Sequence, residues 1–352
     1  MRSKLAAVVV VVATLVFAAP AVAKGPPVGL DFLGQAIVPT GTTFNGTTVG
    51  GLSSITYDPQ RGVYYALSDD PSQLQAARFY TLGLDIGDGR LSDGDVHFQG
   101  VTTLLAPSGQ PYAPFSIDPE GLALTKDREL ILTSEGFTNS LIDPFVRRYA
   151  LDGSFVASLP VPQAFLPTAD HSSGVRPNLA FESAGVPPNG RFVFTATENA
   201  LFQDGPAATV AGGSPSRILR YDLQQGRLDR QWAYMTDPVA EPPAPGQFSV
   251  NGLVELLPLN NEFMLAMERS FSVGAPGTGN TIKIYKVALP GSSGVASKTL
   301  LLDLDDLGIP LDNVEGMTFG PRLPDGRRSV VLVSDNNFAA SQFTQFLLFA
   351  LD

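Results

Sequence analysis

Acidic residues gather at the ends of short apolar runs, and residues 312–338 show this most clearly. Asp312, Asn313 and Glu315 stand before one run, and Ser334, Asp335, Asn336 and Asn337 close the next. The same types recur upstream. Asp118 and Glu120, Asn178 and Glu182, and Asn251 and Glu255 enter runs, while Asp69, Asp70, Glu135, Glu198 and Glu268 leave them. Oxygen-only ligands of this kind favour Ca²⁺ or Mg²⁺ over zinc or copper. Carboxylates that converge repel one another and must be neutralised by protons, arginine or metal. Arg78, Arg147, Arg148, Arg176, Arg217 and Arg269 are available for that role. A structural reading stands beside the chemical one. The same acids can cap strands, bind turn amides and pair with those arginines.

Other chemistries are excluded or left without a motif. With no Cys in 352 residues, thiolate catalysis and cysteine–zinc sites are absent. His97 and His171 are the two histidines and have no metal-ligand spacing; there is no HExxH, GxSxG or P-loop. No carboxylate pair stands out as the acid and nucleophile of a glycosidase. The segment 85–95, DIGDGRLSDGD, has the composition of a calcium loop without EF-hand spacing, and reads better as a solvated hairpin. The formal charge of −11 disfavours nucleic acid and anionic lipid as partners.

The elements that position these acids repeat. Five units each hold two short strands: GGLSSITYD with VYYALSDD, DPEGLALT with ELILTSEG, NLAFESAGV with RFVFTATEN, VNGLVELLP with EFMLAMERS, and the pair in 312–338. Aligned on Gly51, Gly121, Ser183, Gly252 and Gly316, the units lie 70, 62, 69 and 64 residues apart, a solenoid or propeller spacing. A third strand of alternating polarity follows each pair: 77–85, 144–153, 216–226, 281–289 and 345–352. Fourth strands follow in four units, at 96–105, 154–161, 230–237 and 298–304. The fifth unit lacks one. The spare strand DFLGQAIV at 31–38 would complete it and close a ring. The expected fold is all-β: a β-propeller of four-stranded antiparallel blades, five by count, with insertions long enough to hide a sixth or seventh.

The N-terminus reads as a secretory signal. Arg2 and Lys4 precede an apolar stretch from Leu5 to Ala19, and Ala21-Val22-Ala23 is a small-residue cleavage site. The expected organisation is a signal peptide over 1–23, a linker over 24–30 and one propeller domain over 31–352, secreted or periplasmic. Nothing after residue 23 is long and apolar enough to span a bilayer.

Taken as a set, GLSSITYD, ALSDD, ARFYTLGLD, DPEGLAL, TSEG, RPNLAFES, RILRYDL, MERS, DNVEGMTFGP and DGRRSVVLVSDNNF closely resemble the exported phytase-like ("esterase-like activity of phytase") family. The resemblance implies a propeller and an esterase or phosphoesterase activity. It also brings to mind the calcium-bridged chemistry of β-propeller phytases, although Ser68-Asp69-Asp70-Pro71 matches their Asp-Ala-Ala-Asp-Asp-Pro signature only in part. The resulting expectation is a hydrolase of small phosphate or carboxyl esters, monomeric. Glu120, Glu182 and Glu315 would carry catalysis, and Arg78 and Arg269 would orient phosphate oxygens. Ca²⁺ would be held among Asp69, Asp70, Glu120, Glu135, Glu198, Asn313 and Asp335. The competing expectation is a non-catalytic, calcium-stabilised propeller that serves as an extracytoplasmic binding module.

Overall fold

The computed structural model describes residues 28–352; the expected signal peptide lies outside the described residues. Strand β1 (Leu30–Val38) and a small hairpin of β2 (Thr43–Phe44) and β3 (Thr47–Thr48) lead into the first blade. Blade one is β4 (Leu52–Asp58), β5 (Val63–Ser68), β6 (Arg78–Leu84) and β7 (Val96–Thr103). Blade two is β8 (Pro119–Leu124), β9 (Glu129–Ser134), β10 (Phe145–Ala150) and β11 (Phe155–Leu159). Blade three holds β12 (Phe192–Ala196), β13 (Pro215–Asp222) and β14 (Arg227–Met235). Blade four is β15 (Ser249–Pro258), β16 (Phe263–Ser272), β17 (Asn280–Ala288) and β18 (Ser297–Asp303). Blade five is β19 (Asn313–Arg322), β20 (Arg328–Asp335) and β21 (Thr344–Leu351), completed by β1.

The five-bladed propeller expected from the repeats is present, and so is its closure. β1 pairs antiparallel with β21 from Leu30↔Leu351 to Val38↔Thr344, so the first and last strands of the described residues share one sheet. This pairing covers the edge that β21 would otherwise expose. The acidic segment 85–95 is the β6–β7 connection, as the hairpin reading had it. One element departs from expectation. The inner position of blade three, residues 178–186, is not a continuous strand and pairs with β12 only through the bridges Phe181↔Thr197 and Gly185↔Phe194.

The period of two explains how the blades lock. In β5, Val63, Tyr65 and Leu67 pack into the core between blades one and two, while Tyr64 and Ala66 pack between blades five and one. In β20, Val331 and Val333 face blade one, and Val330 and Leu332 face blade four. Strands buried on both faces therefore read as unbroken apolar runs. The five apolar clusters correspond to the five blade interfaces. The third-strand tyrosines Tyr80, Tyr149, Tyr221 and Tyr285 each face the preceding blade. No helix among the described residues is long and apolar enough to cross a membrane.

Candidate functional site

The first strand of each blade lines the central channel, and the register of these strands arranges the acids in layers. The second strand of each blade delivers one residue to the outermost layer: Asp69, Glu135, Glu198, Arg269 and Asp335. Each sits opposite the entry of its inner strand, at Gly51, Asp118, Ala180, Gly252 and Asn313. One step inward the ladder is irregular in every complete inner strand: between Leu52 and Ser54, Pro119 and Leu122, Leu253 and Glu255, and Val314 and Gly316. These irregularities contain Ser53, Glu120, Val254 and Glu315, with Glu182 at the matching place in blade three. A bulge re-aims the side chain of its extra residue. Here it coincides with the positions where Glu120 and Glu315 enter the cavity.

A third layer holds Ser54, Gly121, Ser183, Glu255 and Gly316. Four of these are small, and the Glu255 side chain occupies the space they leave. Its carboxylate accepts from Ser54 Oγ at 3.2 Å and from the Leu256 N–H at 2.9 Å. The Ser54 bond ties blade four to blade one across the channel. Burial holds its carboxyl well above the usual carboxylate range. Glu255 thus acts as a plug at the channel axis.

Above the plug lies a cavity of about 720 Å³. Eight carboxylates line it: Asp69, Asp118, Glu120, Glu182, Glu198, Asp312, Glu315 and Asp335, against the single cation Arg269. Glu135 lies buried beside them. The Arg269 guanidinium bonds Glu315 at 2.8 Å and reaches Glu198 at 3.6 Å. Its Nε has no hydrogen-bond acceptor. Two carboxylate trios draw together, Asp118–Glu120–Glu135 and Glu135–Glu182–Glu198, each with oxygens within 4.8 Å of one another. Asp69 Oδ1 and Glu198 Oε1 are buried and lack any hydrogen-bond donor. Backbone is cut away to make room. A Cβ at Gly252 would fall 2.1 Å from Glu198 Oε1, and one at Gly51, whose φ is +63°, would fall 1.9 Å from Asp69 Oδ1.

The electrostatics follow from this crowding. Burial, and then the charges of neighbouring acids, hold Asp69, Glu120, Glu135 and Glu182 well above the usual carboxylate range. Burial pushes Asp118 and Glu198 up to about 7 and Asp335 up to about 8. Arg269 pulls against the burial at Glu198 and Glu315, although both remain raised. Without bound cations, these carboxyls keep their protons to higher pH than isolated carboxyls do. Unpaired carboxylate oxygens, close oxygen–oxygen approaches and an all-oxygen donor set are what a hard divalent cation needs. The residues present therefore fit such an ion.

Most of the expected site residues converge here: Asp69, Glu120, Glu182, Glu198, Arg269, Asn313, Glu315 and Asp335 line the cavity, with Glu135 against them. Asp70 and Arg78 do not. Asp70 lies beside Asp69 in the chain but is committed to the loop that follows. It accepts the N–H groups of Gln73, Leu74 and Gln75 and pairs with Arg78 at 2.8 Å in a fully buried salt bridge. Arg78 is further tied to Tyr80 Oη and the Thr48 carbonyl. Neither is free for a cation or a phosphate, so both expectations are corrected. Asn251 and Glu268 also belong elsewhere, in a polar network of blade four with Tyr234 and Lys298. The alignment on Gly51 and Gly252 was three residues out; Ser54 and Glu255 are the residues that share a layer with Gly121, Ser183 and Gly316. Phe248 and Phe271, with ring centroids 6.4 Å apart, form an apolar wall that no acidic pattern could have indicated.

A family model for phytase-like proteins, described as "esterase-like activity of phytase", matches residues 47–338. The chain belongs to the phytase-like family. No curated protein matches the sequence. Among solved structures, this phytase-like chain is similar to an endo-arabinase from Bacteroides thetaiotaomicron, with 12% identity and a TM-score of 0.46, covering 91% of this chain and 96% of that one. The catalytic domain of a Coprinopsis cinerea GH62 α-L-arabinofuranosidase has 8% identity and the same TM-score and coverage. A protein of unknown function from Dyadobacter fermentans has 12% identity and a TM-score of 0.41, covering 92% and 100%. The neighbours thus include hydrolases. At these similarities they carry no argument about the chemistry of the phytase-like cavity.

Proposed function

We propose that this protein is an exported, metal-dependent hydrolase of phosphate esters whose site is the acidic cavity. The observation that carries the reading is the pair of carboxylate trios sharing Glu135, together with the donorless oxygens of Asp69 and Glu198. Asp118, Glu120, Glu135, Glu182 and Glu198 would hold divalent cations, with Ca²⁺ favoured by the crowded, all-oxygen set. Bound there, a divalent cation supplies the positive charge that draws an anionic ester into an acidic cavity and polarises its phosphoryl oxygen.

The chain's own residues do the rest. Arg269, anchored to Glu315, lines the cavity and would offer its guanidinium to an ester oxygen. Asp335 lies at the rim with a carboxyl near 8, so it can hold or release a proton close to neutral pH. Asn313 fixes it through an Nδ2–H bond of 3.3 Å. Phe248 and Phe271 shield one side of the cavity from water and receive the alcohol portion of the ester.

The test is an assay of phosphomonoesters, phosphodiesters and carboxyl esters after chelation and again with Ca²⁺ restored. Cation-dependent turnover that disappears in Glu120→Gln and Arg269→Gln supports the proposal. Cation binding that raises the melting temperature with no turnover on any ester class would replace it with the non-catalytic, ion-stabilised module.

A further inference from the structure

The channel has a second mouth, on the far side of Glu255, with the opposite charge. Its cavity measures about 500 Å³ and begins where Leu122, Leu256 and Met317 leave the plugged layer. Four basic residues reach it: Lys126, Arg128, Arg322 and Arg328. The one carboxylate in its wall, Asp58, is fully used. It pairs with Arg128 at 2.9 Å and accepts from Tyr65 Oη and the amides of Gln60 and Arg61. Among the described residues, this leaves Lys126, Arg322 and Arg328 without an acid, in a protein whose net charge is −11.

Arg322 and Arg328 are directly opposed across the β19–β20 ladder. Like charges in that position destabilise a sheet unless something offsets them. Arg328 lies 3.6 Å over the Phe319 ring, which leaves its N–H edge unused, and no carboxylate or carbonyl accepts from it. Burial and the adjacent Arg322 charge both lower Arg328 from the usual arginine value. Arg322 donates only to the Gly326 carbonyl, at 2.7 Å. Lys126 lays its stem across Gly190 and has no acidic partner. A further polar group nearby is unsatisfied: the Tyr64 hydroxyl is buried without a partner and would lie 2.5 Å from a Cβ at Gly320 in the cavity wall.

We propose that this basic mouth is a binding site for a small organic oxyanion of the phosphate-monoester class. Its charged head is held between Arg322 and Arg328, with Lys126 at the rim. Its apolar body lies against Leu124, Leu257, Met317 and Phe319. Guanidinium N–H groups suit a phosphate head because they present planar, charge-assisted donors. The site is separate from the acidic cavity and needs no metal.

The experiment is calorimetric titration of the mature chain with phenyl phosphate, and separately with inorganic phosphate, in buffer containing EDTA. Chelation removes any cation from the acidic mouth, so binding that persists in EDTA is not carried by a cation there. The expected result is one saturable phenyl phosphate site, with inorganic phosphate about tenfold weaker because it leaves the apolar wall unused. Arg322→Ala and Arg328→Met should each weaken phenyl phosphate by about tenfold or more. If Arg328→Met fails to fold, the exposed Arg322→Ala decides alone. No saturable binding up to about 10 mM, or unchanged affinity in the Arg322 and Arg328 variants, would overturn the proposal. Equal affinity for inorganic phosphate would remove the organic body from it.

Discussion

Removing divalent cations should make the protein's stability fall as pH rises, and restoring them should recover about half of that fall. Asp335 is 2% exposed, and its carboxyl is pushed from 3.8 up to about 8. A carboxyl raised on folding binds its proton more tightly in the native state. The stabilisation is complete below the unfolded value, near pH 4, and is lost as pH climbs through 8. At about 1.4 kcal/mol per pKa unit, Asp335 alone accounts for about 6 kcal/mol over that range. Asp118 and Glu198, each near 7, act in the same direction. They share protons with the same ring, so their effects do not simply add. A chain of 352 residues unfolds with an entropy of about 0.7 kcal/mol/K. The melting temperature in chelator should therefore drop by about 8 °C between pH 4.5 and 9. Calcium at about 100 times its Kd should return about 4 °C at the upper end. At pH 4.5 it should return almost nothing, because protons already occupy the ligands. Calorimetric scans at three pH values, with EDTA or Ca²⁺, read all of this. A melting temperature that rises with pH in chelator would refute the reasoning, as would an equal calcium gain at acid and alkaline pH.

Substitutions at four positions separate the parts of the site. Arg269→Gln leaves Glu198 and Glu315 without their cation and should cost about 3–5 kcal/mol, seen as a lower melting temperature in chelator at pH 8. Arg78→Met breaks a buried pair of comparable cost but should leave the number of cations bound unchanged, as measured by equilibrium dialysis. Gly252→Ala drives a methyl into Glu198 and should weaken cation affinity in the same measurement. Glu255→Gln keeps the shape of the plug and should cost less stability than Glu255→Ala, which empties it and should cost about 2–4 kcal/mol in denaturant titrations.

The repeat, the blade count and the closing strand were legible in the chain because they rest on alternation. Val63–Leu67 and Val330–Val333 are buried on both faces, and a strand packed between two blades reads as an unbroken apolar run. Tyr80, Tyr149, Tyr221 and Tyr285 marked the third strands for the same reason. The spare strand of 31–38 was recognisable by its missing partner in unit five. Whether the two sets of acids share one mouth stayed open in the sequence, although adjacent antiparallel strands place the start of one beside the end of the next.

The composition of the ring was settled only by register. Asp69 and Asp70 are neighbours of the same type, yet one faces the cavity and the other closes a loop onto Arg78. No residue pattern distinguishes two adjacent acids just beyond a strand end, where alternation has stopped. The inner-strand irregularities insert a residue without changing the apolar pattern, so alignment on Gly51 and Gly252 slipped by three residues and hid Glu255 as the plug. Arg269 takes the place in blade four that Asp69, Glu135, Glu198 and Asp335 take in the others, which is visible only once the blades are superposed on the channel axis. Local sequence determined which segments are strands and which carry acids. Tertiary structure decided which carboxylates meet, because bulges and ring closure set side-chain direction through contacts between residues up to some hundreds of positions apart, as where Gly51 N–H donates to Asn336 Oδ1 at 3.0 Å.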